Sequence, residues 1–328
     1  MARTLFVHVG PRKTATTAIQ AFLGKHDNSI VIYPKVGLHG IGSHHGLVFS
    51  FFDAARKKDD SDSIEQLFEK IGEQTRDSDL DVVISSEAME IQNRDVGAFV
   101  RALLPYVSRT PIKVELVLAV REHFGRTASL YNHLVRARKG AVQRNLPDEF
   151  LEANAAEMCY APYVRRLKNS GFNVTALNYH PSESWTDRFF AYIGFPADEI
   201  PKIDMRHVAL SPKVLIALAA TNETVRSKDN RRKFRLAFAA MPESKTPSRF
   251  IFGQEAARTA EVLFSEDRKF LFDEFGIKIV GPDVENEQNA FFLSHDEFEE
   301  IAAVARDLGP GGNKILKFAR EYVRDSGR

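Results

Sequence analysis

The segment Thr4-Leu-Phe-Val-His-Val-Gly-Pro-Arg-Lys-Thr-Ala-Thr-Thr-Ala-Ile-Gln-Ala-Phe-Leu23 contains, in succession, an apolar run, a cationic turn and a helical pattern. Its apolar run Leu5–Val9 predicts a buried strand, and Gly10-Pro11 predicts a tight turn after it. Apolar residues then recur at helical spacing, at Ala18, Ile19, Phe22 and Leu23. We therefore expect a strand, a short loop and a helix in immediate succession.

The loop of this unit has the composition of an anion site. It carries Lys13 and three hydroxyl residues, Thr14, Thr16 and Thr17, where the helix is expected to begin. The first N–H groups of a helix have no partner within the helix and form the positive end of its dipole. Backbone donors, hydroxyl donors and a cation together predict binding of a phosphate-like group.

Further strand and helix patterns alternate along the first 200 residues. Strand patterns lie at Thr4–Val9, Ile30–Tyr33, Asp81–Ser85, Val114–Val120 and Asn173–Asn178. Helical patterns lie at Ser63–Thr75, Asp95–Leu104, His123–Lys139 and Ala161–Ser170. This alternation is typical of an α/β fold, and we predict a P-loop-like parallel sheet flanked by helices. Gly10, Glu87 and Arg121 then fall at the carboxyl ends of strands, where such sheets bind ligands.

The pattern becomes mainly helical after Ile200. Helical spacing covers Pro212–Val225, Arg231–Ala240, Gln254–Phe275 and His295–Asp307, and the short run Lys278–Val280 resembles a strand. We predict an α/β core over residues 1–200 and a helical C-terminal extension of the same domain over residues 201–328.

Composition limits the function classes. The 328 residues are 44% hydrophobic and 27% charged, with a net charge of +1, so no global field favours nucleic acid or a membrane surface. Cys159 is the single cysteine, which excludes an intrachain disulfide and an all-cysteine metal site. No run approaches the roughly 20 apolar residues of a membrane span. We expect a cytoplasmic protein that binds no nucleic acid. The sequence does not indicate an oligomeric state.

The loop Gly10–Thr17 lacks the second glycine of a Walker motif, Gly-x-x-x-x-Gly-Lys-Ser/Thr. It resembles instead the 5′-phosphosulfate loop of sulfotransferases that use 3′-phosphoadenosine 5′-phosphosulfate (PAPS), with its Lys-Ser/Thr-Gly-Thr-Thr/Ser core. Lys13, Thr14, Thr16 and Thr17 match that core, and Ala15 stands in place of its glycine. The resemblance implies that residues 12–17, Arg12 included, bind the cofactor.

A second match lies over one hundred residues later. Val114-Glu-Leu-Val-Leu-Ala-Val-Arg121 ends a predicted strand on an arginine, and Ser129 follows eight residues on, within a predicted helix. This pair resembles the family's 3′-phosphate site. An arginine offers a forked, permanently charged donor set suited to a phosphate. Arg121 and Ser129 are thus expected to distinguish PAPS from ATP.

The catalytic base has more than one candidate. Glu87 follows the predicted strand Asp81–Ser85. In sulfotransferases that act on carbohydrates, a carboxylate at this place serves as the catalytic base, and the resemblance implies the same role for Glu87. Its alternative reading is an ordinary charge in the first turn of a helix. His39, His44 and His45, in a glycine-rich loop that could line the acceptor pocket, are rival bases because histidine titrates near neutral pH.

The resemblance is to the bacterial, carbohydrate-sulfotransferase-like branch of the family, and it covers about residues 4–195. It implies transfer of a sulfuryl group from PAPS to a hydroxyl or amine. The acceptor would be a carbohydrate or small molecule, Lys13 and Glu87 would be catalytic, and no metal would be required. Two alternatives stay open: an ATP- or GTP-dependent kinase on a P-loop-like fold, and a non-catalytic nucleotide-binding module.

Two other features have simpler interpretations. His8 lies inside the first strand and is predicted to be a core histidine with a hydrogen-bond partner. The basic run from Arg226 to Arg235 is typical of a solvated helix face, although it could meet an anionic acceptor or the cofactor's phosphates. Phe234 and Phe238 within that run are predicted to point into the core.

Overall fold

The structure, a computed structural model, describes most of the chain: residues 3–53, 62–91, 94–108, 110–136, 147–179, 185–201, 209–242, 245–246, 252–281, 292–309 and 311–323. The chain forms two compact units, each made of three segments. The first contains 1–122, 160–206 and 267–279, and the second contains 123–159, 207–266 and 280–328. The division into a core over 1–200 and an extension over 201–328 stays a prediction.

The first unit is built on a four-stranded sheet. Its strands are β1 (Thr4–His8), β2 (Val82–Ser85), β3 (Lys113–Arg121) and β4 (Asn173–Tyr179), in the order β2-β1-β3-β4. Every neighbouring pair is parallel. The expected α/β class with an all-parallel sheet is therefore confirmed.

The described helices are, in chain order, α1 (Thr16–Leu23), α2 (His45–Phe52), α3 (Ile64–Thr75), α4 (Val96–Val107), α5 (His123–Val135), α6 (Pro147–Met158), α7 (Ala161–Lys168), α8 (Trp185–Tyr192), α9 (Pro212–Thr224), α10 (Lys228–Ala239), α11 (Gln254–Leu263), α12 (Ser265–Phe275), α13 (His295–Asp307) and α14 (Gly312–Arg320). A short 3₁₀ turn, Glu87–Glu90, follows β2.

Helices cover both faces of the sheet because side chains alternate along each strand. Leu5 and Val7 of β1 pack in one apolar cluster with residues of α2, α3, α4, α7 and α12. Phe6, between them, packs in a second cluster with residues of α1 and α8. The first helix after β1 is thus buried against the sheet, which holds the loop before it at the sheet's carboxyl edge.

Helix boundaries follow local capping chemistry. Ser63 accepts a hydrogen bond from the Gln66 N–H while the Gln66 side chain accepts from the Ser63 N–H, a capping box that starts α3. Asp95 accepts from the Ala98 N–H and starts α4 in the same manner. These interactions are local in the sequence, so both helices could be predicted.

The predicted strand Ile30–Tyr33 is reduced to one bridge, between Ile32 and Val82. The Tyr33 N–H donates to Asn28 Oδ1 at 2.9 Å, and Pro34 has no N–H to offer a ladder. Both effects stop the pairing after a single residue.

The predicted helix Gln254–Phe275 divides into α11 and α12. The interruption is at Phe264, and it lies beside the point where the chain passes from the second unit to the first. Lys278–Val280 forms no strand. The break at Phe264 is not marked by a proline or glycine in the sequence.

The second unit is mainly helical, with one short antiparallel pair, β5 (Ala209–Leu210) and β6 (Lys245–Thr246). Phe234 and Phe238 of α10 are buried and stack at 6.1 Å, which confirms their predicted core position. In the described part of the chain, no helix combines the length and apolar character needed to cross a membrane.

Candidate functional site

The candidate site lies at the carboxyl edge of the sheet in the first unit. The loop 9–15 leaves β1 there, and hydrogen bonds hold it to its neighbours. The Val9 N–H donates to the Val117 carbonyl at 3.0 Å, and the Ala119 N–H donates to the Gly10 carbonyl at 2.8 Å. Tyr163 of α7 donates its hydroxyl to the Val9 carbonyl at 2.9 Å. The start of the loop is therefore as fixed as the strands.

The backbone of the loop uses left-handed conformations. Lys13 has φ 72° and Ala15 has φ 57° with ψ 25°, the region that glycine adopts without strain. This geometry gives a physical reason for the glycine that the resembling loops carry where this chain has Ala15. The loop keeps its shape here at the cost of a modestly strained alanine.

The start of α1 offers backbone donors. Ala15 is its N-cap, no side chain caps it, and no acidic residue lies in its first turn. Within the described residues, no protein acceptor receives a hydrogen bond from the N–H groups of Ala15, Thr16 or Thr17. The helix dipole and these donors together favour an anion at this position.

The three threonines of the loop differ in what they can offer. Thr14 is fully buried and donates its hydroxyl to the Pro11 carbonyl at 2.7 Å, so its hydroxyl hydrogen stabilises the loop itself. Thr16 is buried and Thr17 is half-buried on the first turn of α1. The hydroxyl donors available to an anion are consequently those of the helix, while Thr14 contributes its place in the loop.

Arg12 is held by a carboxylate that the sequence reasoning missed. Glu90 Oε2 accepts from the Arg12 backbone N–H at 2.9 Å and from its Nε at 3.3 Å. Glu90 ends the 3₁₀ turn that Glu87 begins. The turn after β2 thus fixes the loop after β1.

Arg121 is the last residue of β3 and lies against the same loop. Its Nη1 donates to the Lys13 carbonyl at 3.0 Å, and its guanidinium carbon is 5.1 Å from the centre of the Tyr179 ring. The Tyr160 hydroxyl accepts from the Arg121 N–H and donates to the Arg121 carbonyl. The structure therefore brings Arg121, a predicted phosphate ligand, to the loop 9–15, with its backbone held by Tyr160.

Ser129 lies on α5, as expected, and is half-buried. Arg121 belongs to the first compact unit and Ser129 to the second. A common 3′-phosphate site for the two residues stays a prediction.

Glu87 contacts residues from two helices. Its Oε2 accepts a hydrogen bond from Gln20 Nε2 of α1 at 2.7 Å, and its Oε1 is 3.4 Å from His45 Nε2 of α2. His45 Nδ1 is in turn 2.7 Å from Ser86 Oγ. Glu87 and His45, which the sequence presented as rival bases, are neighbours in one cluster.

These contacts decide the charge of Glu87. Burial alone would raise its pKa, but the hydrogen bond and charge interaction with His45 and the hydrogen bond from Gln20 outweigh burial and lower the pKa to about 2. Its side chain is 18% exposed, so a reacting group can reach it. Glu87 is an accessible carboxylate that is ionised at neutral pH.

Gly10 allows Glu87 and the loop to approach closely. It has φ +91°, and a Cβ at this position would lie 3.0 Å from both Cα and Cβ of Glu87. Only glycine fits this approach, which places the candidate base directly beside the start of the anion loop.

The two other loop histidines have different positions. His44 is fully buried: its Nδ1 accepts from the Ser85 N–H and its Nε2 donates to the Pro34 carbonyl. Burial lowers its pKa to about 4 against the opposing effect of these bonds, so His44 supports the loop as a neutral ring. His39 is exposed and stacks on His45 at 6.3 Å.

His8 is the core histidine that the sequence predicts, with one partner. Its Nδ1 is 2.9 Å from Ser85 Oγ, while its Nε2 is buried without a hydrogen-bond partner among the described residues. Burial lowers its pKa to about 4, against the attraction of Glu87.

Sequence reasoning missed Gln20 and Glu90 in this site. Gln20 had a signal that could have been found, because it stands at i+4 from Thr16 in the buried stripe of α1, where an amide needs partners. Glu90 carried no such signal in the sequence, since it is one of several carboxylates near an expected helix start.

Comparison of the chain with protein-family models, with curated proteins and with solved structures finds no match. The described residues include no group of three or more His, Cys, Asp or Glu side chains arranged to hold a metal ion. Function must be argued from the site itself.

Proposed function

We propose that the chain is a PAPS-dependent sulfotransferase, with the anion loop on a P-loop-like sheet and the helical residues 201–328 as an extension of the same domain. One observation carries the proposal: α1, whose first turn offers backbone donors, contacts the ionised, accessible carboxylate of Glu87 through Gln20. Gly10, at the start of the loop, approaches Glu87 so closely that no side chain fits between them. An anion site next to a base is what transfer of an anionic group to a hydroxyl requires.

The phosphosulfate would be held by this loop. The N–H groups of Ala15, Thr16 and Thr17 and the hydroxyls of Thr16 and Thr17 would bind the 5′-phosphate. Lys13 would neutralise the charge that grows on the bridging oxygen as that phosphate leaves. Arg121, already bonded to the Lys13 carbonyl at 3.0 Å, would bind the 3′-phosphate together with Ser129.

The transfer would be an in-line displacement. The acceptor oxygen forms a bond to sulfur while the bond from sulfur to the bridging oxygen breaks, and the bond electrons stay on the departing phosphate. The proton of the acceptor hydroxyl passes to the carboxylate of Glu87. Positioning and charge stabilisation would supply most of the rate, as in phosphoryl transfer.

The proposal is tested first by binding, which needs no acceptor. Calorimetry with 3′-phosphoadenosine 5′-phosphate (PAP) should show saturable binding that Arg121→Ala weakens by at least tenfold. A matched control is Arg101→Ala, which removes an exposed arginine of α4 from the same unit. Absence of PAP binding by the unmodified chain would overturn the proposal. Mg²⁺-dependent ATP hydrolysis without any response to PAPS would favour a kinase-like protein instead.

Transfer is tested with labelled PAPS and a panel of alcohols, amines and carbohydrates. Lys13→Ala should lose transfer by a factor of about 10² or more. Glu87→Gln should lose transfer while PAP binding stays within about twofold of the unmodified chain. Full activity of Glu87→Gln together with inactivity of His45→Asn would instead assign the base to His45.

A further inference from the structure

Gln20 lies in the buried stripe of α1, where its polar amide is costly unless it finds hydrogen-bond partners. The stripe is Thr16, Ile19, Gln20 and Leu23, and Gln20 is 2% exposed. A buried amide is unfavourable unless its donors and acceptor find partners. An alkyl side chain would fill the same space without this requirement, so the fold alone does not explain a glutamine here.

The amide of Gln20 has a defined orientation. Its Nε2 is 2.7 Å from Glu87 Oε2 and 3.1 Å from Ser85 Oγ. An ionised carboxylate can only accept hydrogen bonds, so the nitrogen of the amide must face Glu87 and not the oxygen. Ser85 Oγ accepts a hydrogen bond from the same amide nitrogen and is also 2.9 Å from His8 Nδ1.

The second contact of Glu87 comes from another element. His45 Nε2 is 3.4 Å from Oε1, and Ser86 Oγ holds the opposite side of the His45 ring at 2.7 Å. The two carboxylate oxygens are therefore contacted by residues of different helices, Oε2 by α1 and Oε1 by α2. Of these two contacts, the one from Gln20 is the shorter.

We propose that Gln20 is a positioning residue for Glu87: it fixes the carboxylate through Oε2 and couples the base to the helix whose first turn forms the anion site. This inference rests on the proposed function. Gln20 lies four residues after Thr16, about 6 Å along the axis of α1. Because the first turn and Gln20 belong to the same helix, we expect an anion that orders the first turn also to order the donor to Glu87.

The pH dependence of Glu87 follows from its surroundings. The titratable groups that interact with it are His45 on α2, His8 on β1 and Tyr33, whose pKa is raised by burial. A hydrogen bond donated to the ionised form favours that form. Removing the Gln20 donor should raise the pKa of Glu87 by about one unit, and placing a second carboxylate at position 20 should raise it further.

The direct experiment is a carbon-13 NMR titration of the side-chain carboxyls, with the Glu87 signal assigned by its loss in Glu87→Gln. In the unmodified chain the signal should not titrate between pH 7 and about pH 3.5, in line with its pKa of about 2. In Gln20→Met, which keeps the volume and removes the donor, titration should begin within this range, and Gln20→Glu should titrate at higher pH still. Gln254→Met, at the first position of α11 in the second compact unit, is the matched control and should leave the Glu87 signal unchanged.

Kinetics separate a positioning role from a structural one. With an acceptor from the panel, Gln20→Met should lower kcat by about tenfold or more, keep PAP affinity within about twofold, and move the acidic limb of the pH–rate profile upward. An unchanged acidic limb and an unchanged carboxyl titration would overturn the inference. PAP binding by both proteins in that case would leave the proposed function standing, so the two failures are distinguishable.

A measurement on the unmodified chain covers the outcome that Gln20→Met does not fold. Addition of PAP should shift the backbone amide signals of Thr16 and Thr17 and also the side-chain amide of Gln20 and the carboxyl of Glu87. Shifts of the two threonines without any change at Gln20 and Glu87 would contradict the coupling.

Discussion

At the scale of single residues, the loop after β1 has two non-glycine residues in the left-handed region, Lys13 and Ala15, and the strain at Ala15 can be relieved by a glycine. The residue adopts φ 57° and ψ 25°, and alanine in this region is less stable than glycine by roughly 1 kcal/mol. Part of this cost is offset because glycine gives the unfolded chain more freedom.

Ala15→Gly should therefore raise the free energy of unfolding slightly, by up to about 0.5 kcal/mol, and should not weaken PAP binding. Urea unfolding of the two proteins measures the first effect. Ala18→Gly, three residues later inside α1, is the opposite case, and we expect it to lose about 1 kcal/mol. Equal losses from both substitutions would contradict the left-handed conformation of Ala15.

Gly10→Ala should destabilise the protein by about 2 kcal/mol or more, because the new Cβ meets two atoms of Glu87 at 3.0 Å in a backbone with φ +91°. If the proposed function holds, it should also reduce transfer, since the clash displaces Glu87, the proposed base. Gly40→Ala is the control: its φ is +61°, but no atom lies within 4 Å of the added Cβ. If both variants lose the same stability in urea unfolding, the close approach of Gly10 to Glu87 has no energetic weight.

At the scale of elements, two buried histidines contact Ser85 at the end of β2: His8 at the end of β1 and His44 just before α2. His8 contacts its hydroxyl and His44 accepts from its N–H, and burial lowers the pKa of each to about 4 from 6.5. The unfolded chain therefore binds more protons than the folded chain between these pH values. Their contribution to stability is complete above about pH 6.5 and is lost as the pH falls toward 4.

The free energy of unfolding should accordingly decrease from pH 7 to pH 5, with each histidine contributing a slope of up to about 1.4 kcal/mol per pH unit. His8→Phe should reduce this slope, because phenylalanine fits the aromatic contacts with Trp185 and Phe189 and does not titrate. Urea unfolding at pH 7, 6 and 5 gives the comparison. A slope that is the same in both proteins would show that His8 is not buried as a neutral ring.

The elements also show what the sequence could predict. The strands at Thr4–His8 and Lys113–Arg121 and the helices at α3 and α13 were accessible, because apolar periodicity and the caps at Ser63 and Ser294 act within a few residues. The short extent of pairing at Ile32 had local causes, Asn28 and Pro34, although a strand was predicted there. The division of Gln254–Phe275 was not accessible, since Asp267 just after the break bonds to Tyr160 and Ala161 far along the chain.

At the scale of the whole molecule, a late segment completes the first unit. Asp267 is buried, and its two carboxylate oxygens accept from the Tyr160 N–H at 2.8 Å and the Ala161 N–H at 2.7 Å. It thereby caps α7 from a distance of over one hundred residues along the chain. Leu271 and Ile277 of the same segment enter the apolar cluster on one face of the sheet.

Asp267→Ala should lower the free energy of unfolding by about 2–3 kcal/mol, since it removes a helix cap and leaves two buried N–H groups without acceptors. Thermal and urea unfolding measure the effect. Asp273→Ala, which removes an exposed carboxylate from the same helix, should change stability by less than about 0.5 kcal/mol. Similar results for the two variants would indicate that the late segment adds little to the first unit.

The order of strand, loop and helix and the helix caps follow from interactions among neighbouring residues, so they could be predicted from the chain alone. The contacts among Gln20, His45 and Glu87 needed the folded chain, since Gln20 lies 67 residues before Glu87 and His45 lies 41 residues before its partner Ser86. The tertiary structure also decided the left-handed backbone at Lys13 and Ala15. Burial, strand order and close packing select among conformations that the local sequence permits, and they turned two rival bases into one cluster.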